Sequence, residues 1–170
     1  MKPKAIISEI ESGSIADDLG WLSGDEIVSI NGQILHDVLD YRFYCADDVL
    51  VIVLKRENAT FEYEIEKEFD EPLGVEFSEP LFDGIRLCGA KCMFCFVEQL
   101  PRGLRSPLYV KDDDFRLSFL DGSFVTLANV TDKELKRIIK QRLSPLYVSV
   151  HTTDQNLRQQ MIGRKSPDIL

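Results

Sequence analysis

Early in the chain, apolar and polar positions alternate with the period that places one face of a strand on a core and the other in water. Glu26-Ile27-Val28-Ser29-Ile30 carries this pattern, Ala5-Ile6-Ile7-Ser8-Glu9-Ile10 is a strand candidate, and two further strand-like runs, Val49 to Leu54 and Thr60 to Ile65, flank Glu57-Asn58-Ala59. Glu11-Ser12-Gly13-Ser14 predicts a turn into a brief helix, Ile15 to Leu19, which Gly20 stops. Asn31-Gly32 predicts a tight turn because both residues tolerate positive φ. Leu35, Val38, Leu39, Phe43 and Cys45 recur at loose helical intervals, so Leu35 to Ala46 reads as a second helix. These elements predict a mostly-β domain over residues 1–70, followed by a linker at 71–83.

The pattern changes after the linker. Gly84 to Leu87 reads as a short strand, and Phe115 to Phe119 and Phe124 to Leu127 are apolar runs around Asp121-Gly122. Thr131 to Arg142 predicts a helix, with Thr131 and Glu134 spaced as a capping box. Leu146 to Val150 reads as a buried strand, and Thr153 or Asp154 caps a helix from Gln155 to Ile162. Strands alternating with helices predict an α/β domain over 84–170 with about three parallel strands. The fold class is therefore α+β followed by α/β. So few parallel strands would leave an open edge and an uncovered face, so the chain is expected to continue past Leu170 or to be completed by another polypeptide.

Composition narrows the function classes. Of 170 residues, 44% are hydrophobic and 29% charged, which is ordinary globular material. Twenty Lys and Arg against 29 Asp and Glu give a formal charge of -9, which disfavours nucleic acid as a partner. No apolar run is long enough to span a membrane, and Met1-Lys2-Pro3-Lys4-Ala5-Ile6 lacks the features of a signal peptide, so a cytoplasmic protein is expected.

Gly13-Ser14-Ile15-Ala16, Leu19-Gly20, Gly24-Asp25-Glu26-Ile27 and Ile30-Asn31-Gly32 resemble the core pattern of bacterial PDZ domains over about residues 5–67. The resemblance implies a fold that binds a protein or peptide C-terminus by adding it as a strand. The Gly-containing loop that captures the carboxylate does not precede Ala5. Leu73-Gly74-Val75-Glu76-Phe77 resembles that loop at the far end of the domain, where a circular permutation would return it to the groove; an ordinary turn between domains is the alternative.

Of four cysteines, three lie in Cys88-Gly89-Ala90-Lys91-Cys92-Met93-Phe94-Cys95, with the spacing CxxxCxxC. In a reducing compartment such crowding points to metal or redox chemistry. Three thiolates on one loop can hold three irons of a cubane cluster and leave the fourth open. A structural zinc site would normally need a fourth ligand, and His36 and His151 are distant in sequence; unligated buried thiols are the remaining reading. His36 and Cys45 are expected to have no metal role.

The cysteine segment, with Phe94 before the last cysteine, closely resembles the radical S-adenosylmethionine (radical SAM) family. The stretch from Cys92 to Arg105, together with Leu108 to Asp114 and Arg116 to Leu120, is similar to a bacterial family in which a PDZ-like domain precedes a radical SAM domain and a domain of unknown function. The resemblance implies a 4Fe-4S cluster on Cys88, Cys92 and Cys95. It also implies S-adenosylmethionine at the open iron, cleaved reductively to a 5'-deoxyadenosyl radical, with a reductant such as ferredoxin or flavodoxin. Radical SAM barrels commonly carry Gly-Gly-Glu at the second strand; Asp121 to Asn129 lacks it, and Thr126 and Asn129 are the candidates for equivalent polar contacts, or are strand-end and turn residues. Arg102 and Arg105 are candidates for the cofactor carboxylate, or for surface pairing. His151, after the strand Leu146 to Val150, is a candidate for substrate binding or proton transfer, or a structural histidine. Lys111-Asp112-Asp113-Asp114 offers three carboxylates for a cation, or is a solvated charge run whose adjacent side chains point apart. Two rivals stand beside the enzyme reading: a cluster that only carries electrons, and a peptide-binding module with a metal-stabilised appendage.

Overall fold

A computed structural model describes residues 3–163. The chain divides into two compact units, Met1–Gly84 and Ile85–Leu170. The outermost ends of the two expected domains, residues 1–2 and 164–170, lie outside the described residues.

The first unit is built on strands β1 (Ala5–Ile10), β2 (Glu26–Ile30), β3 (Val49–Arg56), β4 (Ala59–Glu66) and β5 (Val75–Phe77). They form one sheet in the order β4-β3-β2-β1-β5, and every neighbouring pair is antiparallel. Strand alternation puts Leu50, Ile52 and Leu54 of β3 into the core with Ile7, Ile27, Trp21 and Leu35. Helix α1 (Ile15–Asp18) is capped by the Ser14 hydroxyl. Helix α2 (Val38–Tyr44) begins later than its apolar spacing predicts, because the buried Asp37 carboxylate accepts the Leu39 and Asp40 amides and fixes the start there.

Residues 71–83, read above as a linker, carry β5 and place Leu73 and Phe82 in this core. The loop before β5 is stapled to the other end of the unit: Gly74 O accepts from Glu11 N at 2.8 Å and Leu73 O from Ala16 N at 3.0 Å. Gly74 has φ +77, and a Cβ there would stand 2.2 Å from Ser14 Cβ, so only glycine fits this approach.

In the second unit, the 3-10 turn Ser106–Tyr109 precedes α3 (Phe115–Asp121), β6 (Phe124–Val125), α4 (Asp132–Lys140), β7 (Tyr147–Val148) and α5 (Gln155–Ile162). β6 and β7 pair in parallel. The Thr131 and Glu134 capping box forms at α4, and Asp154 rather than Thr153 caps α5. The expected strand from Gly84 to Leu87 does not form among the described residues. Arg86 N donates to the Asp114 carboxylate and Leu87 makes only an isolated bridge to Asp112, so its backbone partners are not those of a ladder. The run Phe115 to Phe119 is helical because Asp114 caps it and Gly122 closes it at φ 69. No helix of the described residues is long and apolar enough to cross a membrane.

Asp25 ties the first unit together. Its carboxylate accepts Arg56 Nε and Nη2, both at 2.7 Å, and Leu22 N at 2.8 Å, and it is 1% exposed. The Arg56 hydrogen bond, aided by the Leu22 amide, holds its pKa below the ordinary 3.8 against the opposing effect of burial. Its contribution is therefore complete above pH 3.8 and is lost as pH falls through the lower folded value. Asp25→Asn should lower stability by about 2 kcal/mol at neutral pH, with the gap to wild type closing in acid. Denaturation followed by fluorescence of Trp21, the single tryptophan, reads this directly.

Candidate metal centre

Cys88, Cys92 and Cys95 are half-buried thiols on an irregular loop whose backbone is fastened from several sides. Cys88 N donates to Lys111 O at 2.7 Å and Gly89 N to Asn129 Oδ1 at 3.2 Å. Lys91 N and Met93 N donate to Ile162 O and Met161 O, the last carbonyls of α5, at 3.0 and 3.1 Å. A helix end has no intrahelical donors for these oxygens, so the cysteine loop satisfies them. Gly163 turns the chain away at φ 65, and a Cβ there would lie 2.6 Å from Lys91 O. The sulfur-bearing residues Cys88 and Cys92 pack against Ala90, Ala128 and Ile162.

Asn129 joins this loop to the end of β6, since its Nδ2 donates to Leu87 O at 3.1 Å while its Oδ1 accepts from Gly89 N. It thus grips the backbone on both sides of Cys88. Asn129 is in turn set by Asp113, whose carboxylate accepts Thr126 N at 2.6 Å, Thr126 Oγ1 at 2.8 Å and Ala128 N at 2.7 Å, with Asn129 N at 3.4 Å. Fully buried Arg158 on α5 donates from Nη2 to Thr126 O at 2.6 Å. Lys111 Nζ reaches both Ala90 O and the Glu98 carboxylate, bringing a cation to the loop.

The charge run 111–114 is therefore not the solvated stretch its composition suggests. Asp112 is exposed, but Asp113 is half-buried, and Asp114 is 2% exposed in a bidentate pair with Arg116. An Asp immediately before an apolar run is a helix-cap signature, so Asp114 had a signal in the sequence. Asp113, Lys111, Arg158 and Gly163 had none, because each acts on residues remote along the chain.

Sulfur electrostatics connect the three thiols. Burial pushes the Cys92 thiol pKa up; negative charge on Cys88 and Cys95 adds to this, while Lys111 opposes it. Among the described residues, no group of three or more His, Cys, Asp or Glu side chains is drawn into one metal-binding shell. The donor set nevertheless fits a thiophilic iron cluster: three soft ligands whose mutual repulsion a cationic core would remove. Cys45 lies elsewhere, buried in the first unit, where burial pushes its thiol up to about 12 against the lowering by a hydrogen bond to Tyr41.

The remaining candidates divide. Phe94 and His151 come together, their rings stacked at 4.4 Å and 30°. His151 Nδ1 is buried with no hydrogen-bond partner among the described residues, and burial, then the Arg158 charge, lowers its pKa. Thr126 and Asn129 meet at the Asp113 turn, with the Thr126 amide and hydroxyl both committed to that carboxylate. Arg102 and Arg105 lie in segment 101–110, every residue of which is exposed. Leu73, Gly74 and Val75 belong to the first unit and sit before and within β5.

The sequence profile of the Radical SAM-like domain matches residues 67–170, more than half of the chain. The protein belongs to the Radical SAM-like domain family. No curated protein matches it. Among solved structures it is similar to the PDZ domain of an SdrC-like protein from Listeria innocua, at 19% identity over 46% of this chain and 98% of that chain, with TM-score 0.38. The PDZ domain of an SdrC-like protein from Listeria monocytogenes gives 17% identity over 46% and 90%, with TM-score 0.37.

Asp113→Ala removes the acceptor that shapes residues 126–129. Amide exchange at Thr126 and Ala128 should accelerate by at least about tenfold, with a loss of about 2 kcal/mol in the second unit. Hydrogen exchange with peptide-level resolution checks both the site and its locality, since exchange in β3 should be unchanged.

Proposed function

We propose that this protein binds a 4Fe-4S cluster through Cys88, Cys92 and Cys95 and uses it to cleave S-adenosylmethionine, with the first unit serving to dock a protein or peptide. The observation that supports this best is the fastened cysteine loop in a chain of the Radical SAM-like family. When bound, such a cluster supplies the electron that breaks a carbon-sulfur bond of S-adenosylmethionine to give methionine and a 5'-deoxyadenosyl radical.

The chain's own residues have distinct tasks in this reading. Asn129 holds the backbone around Cys88, so that the sulfur presents itself from a fixed loop. Thr126 keeps the turn in shape through Asp113, and its hydroxyl is spent on that carboxylate. Phe94 and His151 form a flat, largely apolar wall beside the cysteines, suited to excluding water from a reactive intermediate. At neutral pH the lowered pKa keeps His151 uncharged, so its imidazole can accept a proton or a hydrogen bond. We assign Arg102 or Arg105 to the carboxylate of S-adenosylmethionine, a role that suits a guanidinium at an exposed position. The electron comes from a low-potential donor, and a reducing cytoplasm suits the three free thiols.

Anaerobic reconstitution with ferrous iron and sulfide, followed by reduction with S-adenosylmethionine present, tests this reading. The wild type should bind about four irons per chain and release 5'-deoxyadenosine. Cys88→Ala, Cys92→Ala and Cys95→Ala should each lose both iron and product. Iron without product in the wild type would favour an electron carrier, and preferential loading of zinc would end the proposal.

A further inference from the structure

A cavity of about 630 Å³ opens in the first unit, between the ends of β1 and β5 and the side of α2. Ile10, Val75, Tyr41 and Cys45 give it an uncharged inner surface. β5 ends the sheet, so one side of its backbone has no strand partner among the described residues. An unpaired edge beside a cavity is a template for an added strand, with the cavity taking a side chain.

The charge around this cavity decides what can enter. Glu9, Glu11, Asp70 and Glu76 line it, all exposed, and none has an ion pair among the described residues. Arg42 is the one cation of the lining. Four carboxylates against one guanidinium repel a peptide's terminal carboxylate and attract Lys or Arg side chains. We infer that the cavity beside β5 takes an extended peptide segment carrying Lys or Arg, recognised along its length rather than by a free C-terminus. The inference rests on the reading of the first unit as a docking domain, and it proposes a different ligand from the C-terminus that the sequence resemblance implies.

Two short peptides of equal length, blocked at both ends, one carrying Lys and Arg and the other Asp and Glu, are titrated against the intact protein by fluorescence anisotropy. The basic peptide should bind more tightly by on the order of tenfold, with an advantage that shrinks as salt rises. The double variant Glu11→Lys/Glu76→Lys should reverse the preference. Glu62→Lys/Glu64→Lys, on the far edge strand β4, changes the net charge equally and should keep it. Equal binding of both peptides, or equal effects of the two double variants, would overturn the charge selection and leave docking intact. Binding of neither peptide would overturn the docking reading itself.

Discussion

Four donors converge on the carboxylate of Asp113, and the arrangement of the second unit around the cysteines follows from that convergence. β6 and β7 are two-residue strands and hold little by themselves. Hydrogen bonds to a charged acceptor contribute about 1.5–3 kcal/mol each, more than neutral ladder bonds of about 1 kcal/mol. The carboxylate therefore dominates the sheet as the organiser of residues 126–129. It also accounts for Leu127, which sits at φ 55. A left-handed conformation costs a residue with a Cβ roughly 1–2 kcal/mol, and the bonds to Thr126 and Ala128 on either side offset that cost.

Buried cations complete the same frame. Arg116 and Arg158 are both fully buried, which is expensive unless their donors are met. Arg116 faces Asp114 in two parallel hydrogen bonds, and Arg158 donates to the carbonyl of Thr126, the residue whose amide Asp113 has taken. Thr126 is thus held by an anion at its N–H and a cation at its C=O, which fixes the peptide groups on both sides of it. The Arg158 charge reaches His151 as well and, with burial, disfavours its protonation. The imidazole against Phe94 is consequently a neutral ring in a stack rather than a cation over one.

How far these features could be read in the amino-acid sequence depended on how local their causes are. The strand-like run of β3, the Thr131 cap and the Asn31-Gly32 turn are set by neighbours within a few residues, and all were legible. The three cysteines were legible through their spacing alone. Gly84 to Leu87 misled, because its pattern suits a strand while its amide at Arg86 is taken by Asp114, 28 residues on. Asp113 was hidden for the same reason: its partners lie 13 to 16 residues away, and nothing in the run marks it out beside Asp114, which its helix-cap position does mark. The open edge of β5 was equally silent, since it follows from sheet order and not from any property of Val75 to Phe77.

The cysteine loop is also held from several sides by protein contacts. Cys88, Gly89, Lys91 and Met93 all donate backbone hydrogen bonds to Lys111, Asn129 and the end of α5, so these contacts help fix the course of the backbone that carries the sulfurs. In the proposed cluster the three side chains, which would repel one another as thiolates, would be gathered around a cationic core that relieves the repulsion. Selectivity for that proposed cluster would come from the number and softness of the donors, because three sulfurs without a fourth protein ligand satisfy a tetrahedral zinc poorly and leave one iron of a cubane free.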